Sequence, residues 1–377
     1  MAGPLTGLRI IEFAGLGPGP FAGMMLSDMG AEVVRIDRPA RGHETDVATS
    51  LHTVIERGRR SIAIDLKKPA GVEIALRLVG GAEAVFEGYR PGVAEKLGVG
   101  PDACLAINPA IVYGRMTGWG QTGPLAGAPG HDLNYIALAG ALGAIGQAAG
   151  TPTIPLNLIG DFGGGGMLLA YGLLCGVLNA RATGVGQVVD TAMVDGVVAL
   201  MAPYLSQPAW KARGLNVIDG GSHFYNVYET ADHRWVTIGS IEPQFYAALL
   251  DVLGLDPMSL PDQMDESKWP AMKEHFAAIF RTATADEWVE RMEGREVCFA
   301  PVLDIDEVAD DPHLVERGVL IDLHGIRQPM PAPRFDRTPA DLPRPKPEVG
   351  EHTDELLAGL GITEAEVGRL RGNGVVA

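Results

Sequence analysis

Short apolar runs and amphipathic segments alternate through the first third of the chain, and breaker residues separate them. The pattern predicts, in chain order, a strand over 8–13, a helix over 21–29, strands over 32–36 and 61–65, a helix over 69–79, and strands over 84–86 and 110–117. The stretch Gly15–Pro20, rich in glycine and proline, is predicted to be a loop. Strands that alternate with helices predict an α/β fold with a parallel, doubly wound sheet.

The character of the chain changes twice after this region. Residues 132–200 contain long Gly/Ala-rich apolar segments with few charges, which predict helices buried in a core or in an oligomer interface. Two apolar runs around residues 226–239 flank a turn and predict a hairpin, which amphipathic helices follow. Seven prolines fall within residues 328–347 and predict an extended segment, and a helix pair over 353–358 and 363–371 closes the chain.

Composition and charge narrow the classes of partner. The chain has 377 residues, with 30 Lys+Arg against 47 Asp+Glu and a formal net charge of −17, which argues against nucleic acid or an anionic membrane as partner. An anionic small ligand therefore requires a locally basic pocket. The segment 1–5 lacks the features of a secretory signal, and the apolar stretch 162–178 is short for a membrane span and contains six glycines. We therefore expect a soluble, cytoplasmic protein.

Cysteine content and short motifs exclude several kinds of chemistry. Cys104, Cys175 and Cys298 are too few and too far apart for a disulfide framework or a CxxC metal site, so we expect buried small hydrophobic residues. No clustered metal-ligand motif is present in the sequence, and no metal is expected. The stretch Gly17–Ala22 fits the G-x-G-x-x-A dinucleotide pattern, but its two prolines remove backbone donors. A rigid strand-to-helix turn is therefore favoured over nicotinamide binding.

The segment Gly130–Tyr135 concentrates polar chemistry in an apolar region. It contains an imidazole (His131), a carboxylate (Asp132) and a phenol (Tyr135), and it lies where a helix is predicted to begin. The helix dipole lowers the pKa of a histidine at this end and keeps the imidazole neutral, so that it can act as a base. Alternatively, Asp132 caps the helix and His131 bonds a neighbouring carbonyl. The segment alone leaves both interpretations open.

A second isolated carboxylate, Asp161, precedes four consecutive glycines at the start of another apolar helix. A carboxylate among apolar residues is costly unless it is capped, paired or protonated. The glycines allow a ligand to approach the backbone and expose N–H groups to developing negative charge. Two such ionisable groups are what a two-base proton-transfer site requires, whereas helix capping is the structural alternative.

Several collinear motifs carry a resemblance to a known family. They are Leu5-Thr-Gly-Leu-Arg9, Gly30-Ala-Glu-Val-Val-Arg-Ile-Asp37, Glu87-Gly-Tyr-Arg-Pro-Gly92, Gly114-Arg-Met-Thr-Gly-Trp-Gly-Gln-Thr-Gly-Pro124, Gly130-His-Asp-Leu-Asn-Tyr135, Asn157-Leu-Ile-Gly-Asp-Phe-Gly163, Gly186-Gln-Val-Val-Asp190 and Ile241-Glu-Pro-Gln-Phe-Tyr246. The sequence resembles the class III CoA-transferase/racemase superfamily, and within it most closely the racemase branch. The resemblance runs from Pro4 to about Asp336.

The resemblance implies a fold and an assembly. It implies a large doubly wound, Rossmann-like α/β domain over 1–205, completed by the tail 326–377, a linker over 206–224 and a smaller α+β domain over 225–325. Family members form interlocked homodimers, with the active site between one subunit's large domain and the other's small domain. We therefore expect a homodimer.

The resemblance also implies an activity and the residues that perform it. The expected reaction interconverts (2R)- and (2S)-2-methylacyl-CoA thioesters through an enolate, with no metal, flavin or nicotinamide cofactor. His131 and Asp161 correspond to the catalytic base and acid, and Glu242 approaches from the smaller domain to tune His131. Donors from Asn157, Tyr135 or the glycine N–H groups are candidates to stabilise the enolate oxygen.

CoA contacts follow from the resemblance position by position. The matching residues are Arg38, Ile64, Asp65, Leu66, Lys67, Gly88, Tyr89, Arg90, Gly130, Leu133 and Asn134, with Lys96 standing where close racemases have arginine. Arginine and lysine suit the phosphate groups of CoA, although lysine lacks the bidentate fork. Transferase relatives use an aspartate at the position of Asp132 as nucleophile, so CoA transfer through an acyl anhydride is the alternative activity. A nicotinamide-dependent enzyme and a non-catalytic CoA-binding protein are weaker alternatives.

Overall fold

The structure is a computed structural model that describes residues 2–39 and 53–377. The strands are β1 (Arg9–Phe13), β2 (Glu32–Asp37), β3 (Arg60–Ala63), β4 (Ala84–Glu87), β5 (Val112–Thr117), β6 (Gln187–Ala192), β7 (Tyr225–Glu229), β8 (Trp235–Gly239), β9 (Phe299–Pro301), β10 (Leu320–Leu323) and β11 (Ile326–Pro329). The α-helices are α1 (Pro18–Asp28), α2 (Pro69–Gly80), α3 (Val93–Lys96), α4 (Pro101–Ile107), α5 (Asp132–Leu138), α6 (Ala141–Ala144), α7 (Leu168–Thr183), α8 (Met193–Leu200), α9 (Ala202–Leu205), α10 (Pro243–Leu253), α11 (Trp269–Phe280), α12 (Ala285–Met292), α13 (Pro312–Glu316), α14 (Thr353–Gly359) and α15 (Glu364–Gly372). A π-helix spans Leu158–Met167, and short 3₁₀ turns span Val217–Asp219, Pro257–Ser259, Glu266–Lys268 and Glu307–Ala309.

Alternating side chains build one parallel sheet with a core on each face. Its strand order is β3-β2-β1-β4-β5-β6, and every described pairing in it is parallel. On β1, Ile10 packs into the core of one face and the next residue, Ile11, into the core of the other. Both faces are thus covered, as parallel sheets require. The predicted α/β fold with a parallel, doubly wound sheet is confirmed, and the strand order is that of the dinucleotide-binding folds.

Three local predictions differ from the structure. Helix α1 begins at Pro18, inside the predicted loop, because the first helical turn has no partner for the N–H that proline lacks. The strand β6 lies within residues predicted to be helical, and it is an edge strand with half of its side chains exposed. The residues around Asp161 form a π-helix rather than an α-helix.

The apolar helical run Leu158–Thr183 is half buried rather than wholly buried. One face of α7 packs on the sheet through Leu169, Leu173 and Val177, whereas Tyr171 and Leu178 on the other face are 66% and 68% exposed. By length and composition alone this run is long and apolar enough to cross a membrane. Cys175 and Cys298 are exposed, contrary to prediction, and Cys104 is buried; all three thiols are free.

The chain divides into two compact units. The first contains residues 1–139, 156–201 and 318–377, with the parallel sheet, the β10–β11 hairpin and the predicted terminal helix pair. The second contains residues 140–155 and 202–317. It has an antiparallel sheet in the order β7-β8-β9, which includes the predicted hairpin, and an aromatic-rich core with α10, α11 and α12. The domain boundaries suggested by the sequence stay a prediction.

Candidate active site

Helix α5 begins with reciprocal hydrogen bonds between His131 and Asn134. The backbone N–H of His131 donates to Asn134 Oδ1 over 3.0 Å, and the N–H of Asn134 donates to the carbonyl of His131 over 2.8 Å. These bonds fix the backbone of the residue that precedes the helix. The side chain of His131 is exposed. The imidazole is therefore presented outward from a rigid helix start.

Asp132 joins the start of α5 to the start of the π-helix. Its Oδ1 accepts the backbone N–H of Asp161 over 2.7 Å, although the two residues are 29 positions apart. The side chain is 7% exposed, and Oδ2 is buried without a hydrogen-bond partner in residues 2–39 and 53–377. Burial raises the pKa of Asp132, and hydrogen bonds from the N–H groups of Asp161 and Gly160 oppose this rise. The carboxylate thus bridges two helix starts.

Gly160 makes this contact possible. A β-carbon at this position would lie 2.3 Å from Asp132 Oδ1 and 2.8 Å from its carboxyl carbon. Neither distance is compatible with ordinary van der Waals contact, so a residue without a side chain is required. The glycine directly before Asp161 was not identified in the sequence as part of the site.

Asp161 lies in the first turn of the π-helix and is partly buried. Asn157, the residue before this helix, donates from Nδ2 to Asp161 Oδ2 over 3.0 Å. Gly17 adopts a left-handed conformation (φ 66°) beside the same carboxylate, where a β-carbon would lie 3.1 Å from Oδ2. A π-helix is rare and occurs frequently at functional sites. The side-chain amide of Asn157 thus positions the carboxylate of Asp161 through a direct hydrogen bond.

The glycines after Asp161 pack against helices rather than expose their backbone. A β-carbon on Gly164 would lie 2.8 Å from the backbone nitrogen of Val197 in α8. One on Gly166 would lie 2.7 Å from the carbonyl oxygen of Pro18 in α1. Gly164, Gly165 and Gly166 are all buried. The interpretation of this glycine run as an open approach for a ligand is therefore wrong, because close helix packing requires it.

Tyr135 completes the group. Its ring is buried and packs edge-on against Trp119, with ring centroids 4.7 Å apart. Burial raises the pKa of Tyr135, the negative charges of Asp161 and Asp132 raise it further, and Arg90 opposes them. His131, Asp132, Tyr135, Asn157 and Asp161 together are called the paired-carboxylate site below.

Four exposed cations lie in the turns, and in one short helix, that follow the strands β2, β3 and β4. Arg38 follows β2, Lys67 follows β3, Arg90 follows β4, and Lys96 ends α3. The carboxyl ends of parallel strands form the edge at which doubly wound sheets bind their ligands. These four exposed cations of an acidic chain are called the basic edge below.

The other predicted CoA-binding residues differ in burial and in their hydrogen bonds. Ile64 is buried and pairs with Val376, and Asp65 Oδ1 accepts the N–H of Lys67 over 3.0 Å. Tyr89 is partly buried, with a pKa raised to about 12 by burial and by Glu87, while Arg38 lowers it. The residues Leu66 and Gly130 are partly buried, and Gly88, Leu133 and Asn134 are exposed.

Glu242 is the one predicted site residue that the second unit contributes. It belongs to the second unit, is exposed, and is the residue before α10. Its approach to His131 stays a prediction.

The strand order places the chain in the class of doubly wound α/β proteins. A model of CoA-transferase family III matches residues 5–353, and the chain belongs to this family. It is 42% identical to the alpha-methylacyl-CoA racemase of Mus musculus and 41% identical to that of Homo sapiens, in each case over 99% of this chain and 97% of the relative. The crystal structure of a CAIB/BAIF family protein from Brucella suis, 24% identical, has the same fold, with a TM-score of 0.82 over 96% of this chain and 100% of that one.

Proposed function

We propose that the protein is an acyl-CoA racemase that interconverts (2R)- and (2S)-2-methylacyl-CoA thioesters. The observation that carries the proposal is the likeness, over 99% of the chain, to two relatives named alpha-methylacyl-CoA racemase. The paired-carboxylate site supports it, because it combines an exposed imidazole with a carboxylate held near a second helix start. Proton transfer at carbon needs two such groups, one on each side of the reacting atom.

In the proposed mechanism, His131 and Asp161 exchange roles between the two directions. One removes the proton from C2, and the thioester carbonyl takes up the electron pair as an enolate. The other then delivers a proton to the opposite face of C2. Asn157 and Tyr135 are the candidate donors to the enolate oxygen. Asn157 donates a hydrogen bond to Asp161, and Tyr135 interacts electrostatically with the same carboxylate. Glu242 completes this proposal as a residue that tunes His131.

CoA would bind along the basic edge. Arg38, Lys67, Arg90 and Lys96 are exposed, and an ionised phosphate is attracted to such clustered cations even on a chain of net charge −17. The thioester would then reach towards the paired-carboxylate site, because Arg90 acts electrostatically on Tyr135. The proposed reaction moves only protons, so it requires no metal, flavin or nicotinamide. A cytoplasmic location stays a prediction.

CoA transfer through Asp132 is the second candidate. It is favoured by the family's description and by Asp132, whose Oδ2 makes no hydrogen bond within residues 2–39 and 53–377 and is therefore not neutralised as a nucleophile by a donor there. Transfer requires an acceptor acid, whereas racemisation does not. Trapping an acyl group on Asp132 with hydroxylamine would identify this chemistry.

We further propose that the chain works as an interlocked homodimer. Large apolar side chains are exposed on the π-helix, α7 and α8, among them Met167, Tyr171, Leu178 and Leu200. Exposed apolar area of this kind is typical of a protein interface. Sedimentation analysis of a dilution series should show no folded monomer, and a stable folded monomer would contradict the dimer.

The racemase proposal is tested with enantiopure (2S)-2-methylacyl-CoA in D₂O, without any acceptor acid. NMR and chiral analysis should show deuterium at C2 together with the (2R) product. If the thioester binds but neither exchanges nor epimerises, racemisation is wrong and the transfer reaction through Asp132 is examined with a panel of acceptor acids.

A further inference from the structure

Glu87 is a completely buried carboxylate at the ligand-binding edge of the sheet. It is the last residue of β4, and β4 lies between β1 and β5 in the interior of the sheet. Burial of an ionised carboxylate is costly unless hydrogen bonds and an opposite charge compensate it. The ionised side chain of Glu87 therefore requires strong interactions with its neighbours.

Two neighbours compensate Glu87. Its Oε2 accepts the backbone N–H of Tyr89 over 2.5 Å. Arg115 is its partner across the β4–β5 ladder, and Arg115 Nε lies 3.4 Å from Glu87 Oε1. Arg115 in turn pairs with Glu95 of α3 through Nη1 over 2.8 Å. Glu87 thus connects the interior of the sheet to the turn and the helix that follow β4.

The turn after β4 is open around its glycines and packed at Tyr89. Among residues 2–39 and 53–377, nothing lies within 4 Å of a β-carbon built on Gly88 or on Gly92, whereas Tyr89 packs against the core on one face of the sheet. The bond from Tyr89 to Glu87 spans Gly88, and the ring of Tyr89 lies 6.3 Å from that of Phe13. Arg90, a member of the basic edge, is the next residue along the chain.

We propose that Glu87 is a positioning residue for CoA, which in its ionised form holds the Gly88–Arg90 turn so that Arg90 faces a phosphate of the ligand. This inference rests on the proposed binding of acyl-CoA and adds to it a residue that touches neither substrate nor reacting atoms. It also makes CoA affinity depend on the proton held by Glu87.

The pH dependence has a definite sign. Burial raises the pKa of Glu87 to about 7, Glu95 raises it, and the Tyr89 N–H and Arg115 lower it. Within residues 2–39 and 53–377, Tyr113 of β5 and Tyr89 also interact electrostatically with Glu87, and burial keeps both phenols neutral near pH 7. Above about pH 7 the carboxylate is ionised and the turn is held. Below it, protonation removes the charge that Tyr89 and Arg115 compensate, so CoA affinity falls.

The test compares Glu87→Gln with Glu83→Gln. Glu83 precedes the same strand and pairs with Arg181 at the surface over 2.7 Å, so it is a matched control. Calorimetry with CoA at about pH 8 should give roughly tenfold weaker binding for Glu87→Gln, because a neutral amide oxygen accepts the Tyr89 N–H more weakly than a carboxylate does and does not form an ion pair with Arg115. The wild type and Glu83→Gln should lose a similar factor between about pH 8 and pH 6. Glu87→Gln should show only the residual pH dependence of the ligand's own phosphates.

Two further measurements separate positioning from folding. Hydrogen exchange at the Tyr89 amide should accelerate in Glu87→Gln and stay slow in Glu83→Gln, and Glu87→Asp should recover part of the affinity at about pH 8. Equal CoA affinity of wild type and Glu87→Gln across the pH range would overturn the inference, even if the protein racemises its substrate. Conversely, the predicted affinity shift without racemisation would leave the role of Glu87 standing and refute the racemase proposal.

Discussion

The paired-carboxylate site and the basic edge hold their side chains in opposite ways. At the first, backbone N–H groups and glycines surround the carboxylates, and a β-carbon at Gly160 or Gly17 would lie 2.3 or 3.1 Å from a carboxylate oxygen. At the second, the cations are exposed, and a β-carbon at Gly88 would meet none of the residues that the structure describes within 4 Å. The first region therefore depends on the position of single atoms. In the basic edge, several exposed charges are screened by salt, so each of them contributes only a little to the free energy of ligand binding.

The largest effect is expected from removing the proposed acid and base. His131→Ala and Asp161→Asn should each lower kcat for racemisation by about 10³-fold or more, because no other group transfers the proton. Binding of CoA should change by no more than about twofold, because the basic edge is intact. Chiral analysis of the product and calorimetry with CoA measure the two quantities separately. Near-normal racemisation by either variant would contradict the two-base assignment.

A smaller effect is expected from Gly160→Ala. The added carbon would meet Asp132 Oδ1 at 2.3 Å, so the starts of α5 and the π-helix must move apart. A displacement of about 1 Å can lower the rate about 10²-fold. The measurement is kcat at saturating substrate, with circular dichroism to show that the variant is folded.

Gly127→Ala is the matched control for this variant. Gly127 belongs to the loop before α5, and no described residue lies within 4 Å of a β-carbon there. It should retain activity close to that of the wild type. If Gly160→Ala is folded and equally active, the bridge through Asp132 does not position the site.

The sequence predicts the frame of the first unit better than its details. Short apolar runs at β1, β2 and β4 predict the parallel sheet, because strands that are buried on both faces carry nearly unbroken apolar runs. The strand β6 was missed because an edge strand with exposed side chains lacks that signal. The helix start at Pro18 was missed because proline was interpreted as a breaker, although the first helical turn tolerates it.

The sequence predicts the individual residues of the candidate site, but it does not predict the contacts between them. The family motifs identify His131, Asp132 and Asp161 as candidates. The bond between Asp132 and the Asp161 N–H joins residues 29 positions apart, and no local pattern encodes the packing of two helix starts. The same holds for the glycines after Asp161, whose purpose depends on helices that approach from elsewhere in the chain.

The smallest effect is expected at the basic edge, at Lys96. Lys96→Arg introduces a bidentate donor and should tighten CoA binding by about twofold, whereas Lys96→Ala should weaken it by about threefold. Both differences should shrink when the salt concentration is raised to about 0.3 M, since Lys96 is exposed. Lys268→Arg, an exposed replacement in the second unit, is the control in the same calorimetric series. If neither substitution at Lys96 changes the affinity for CoA, Lys96 does not contact a phosphate and the basic edge ends at Arg90. If Lys96→Ala alone abolishes CoA binding, the charges of the basic edge do not act as a sum of small contributions.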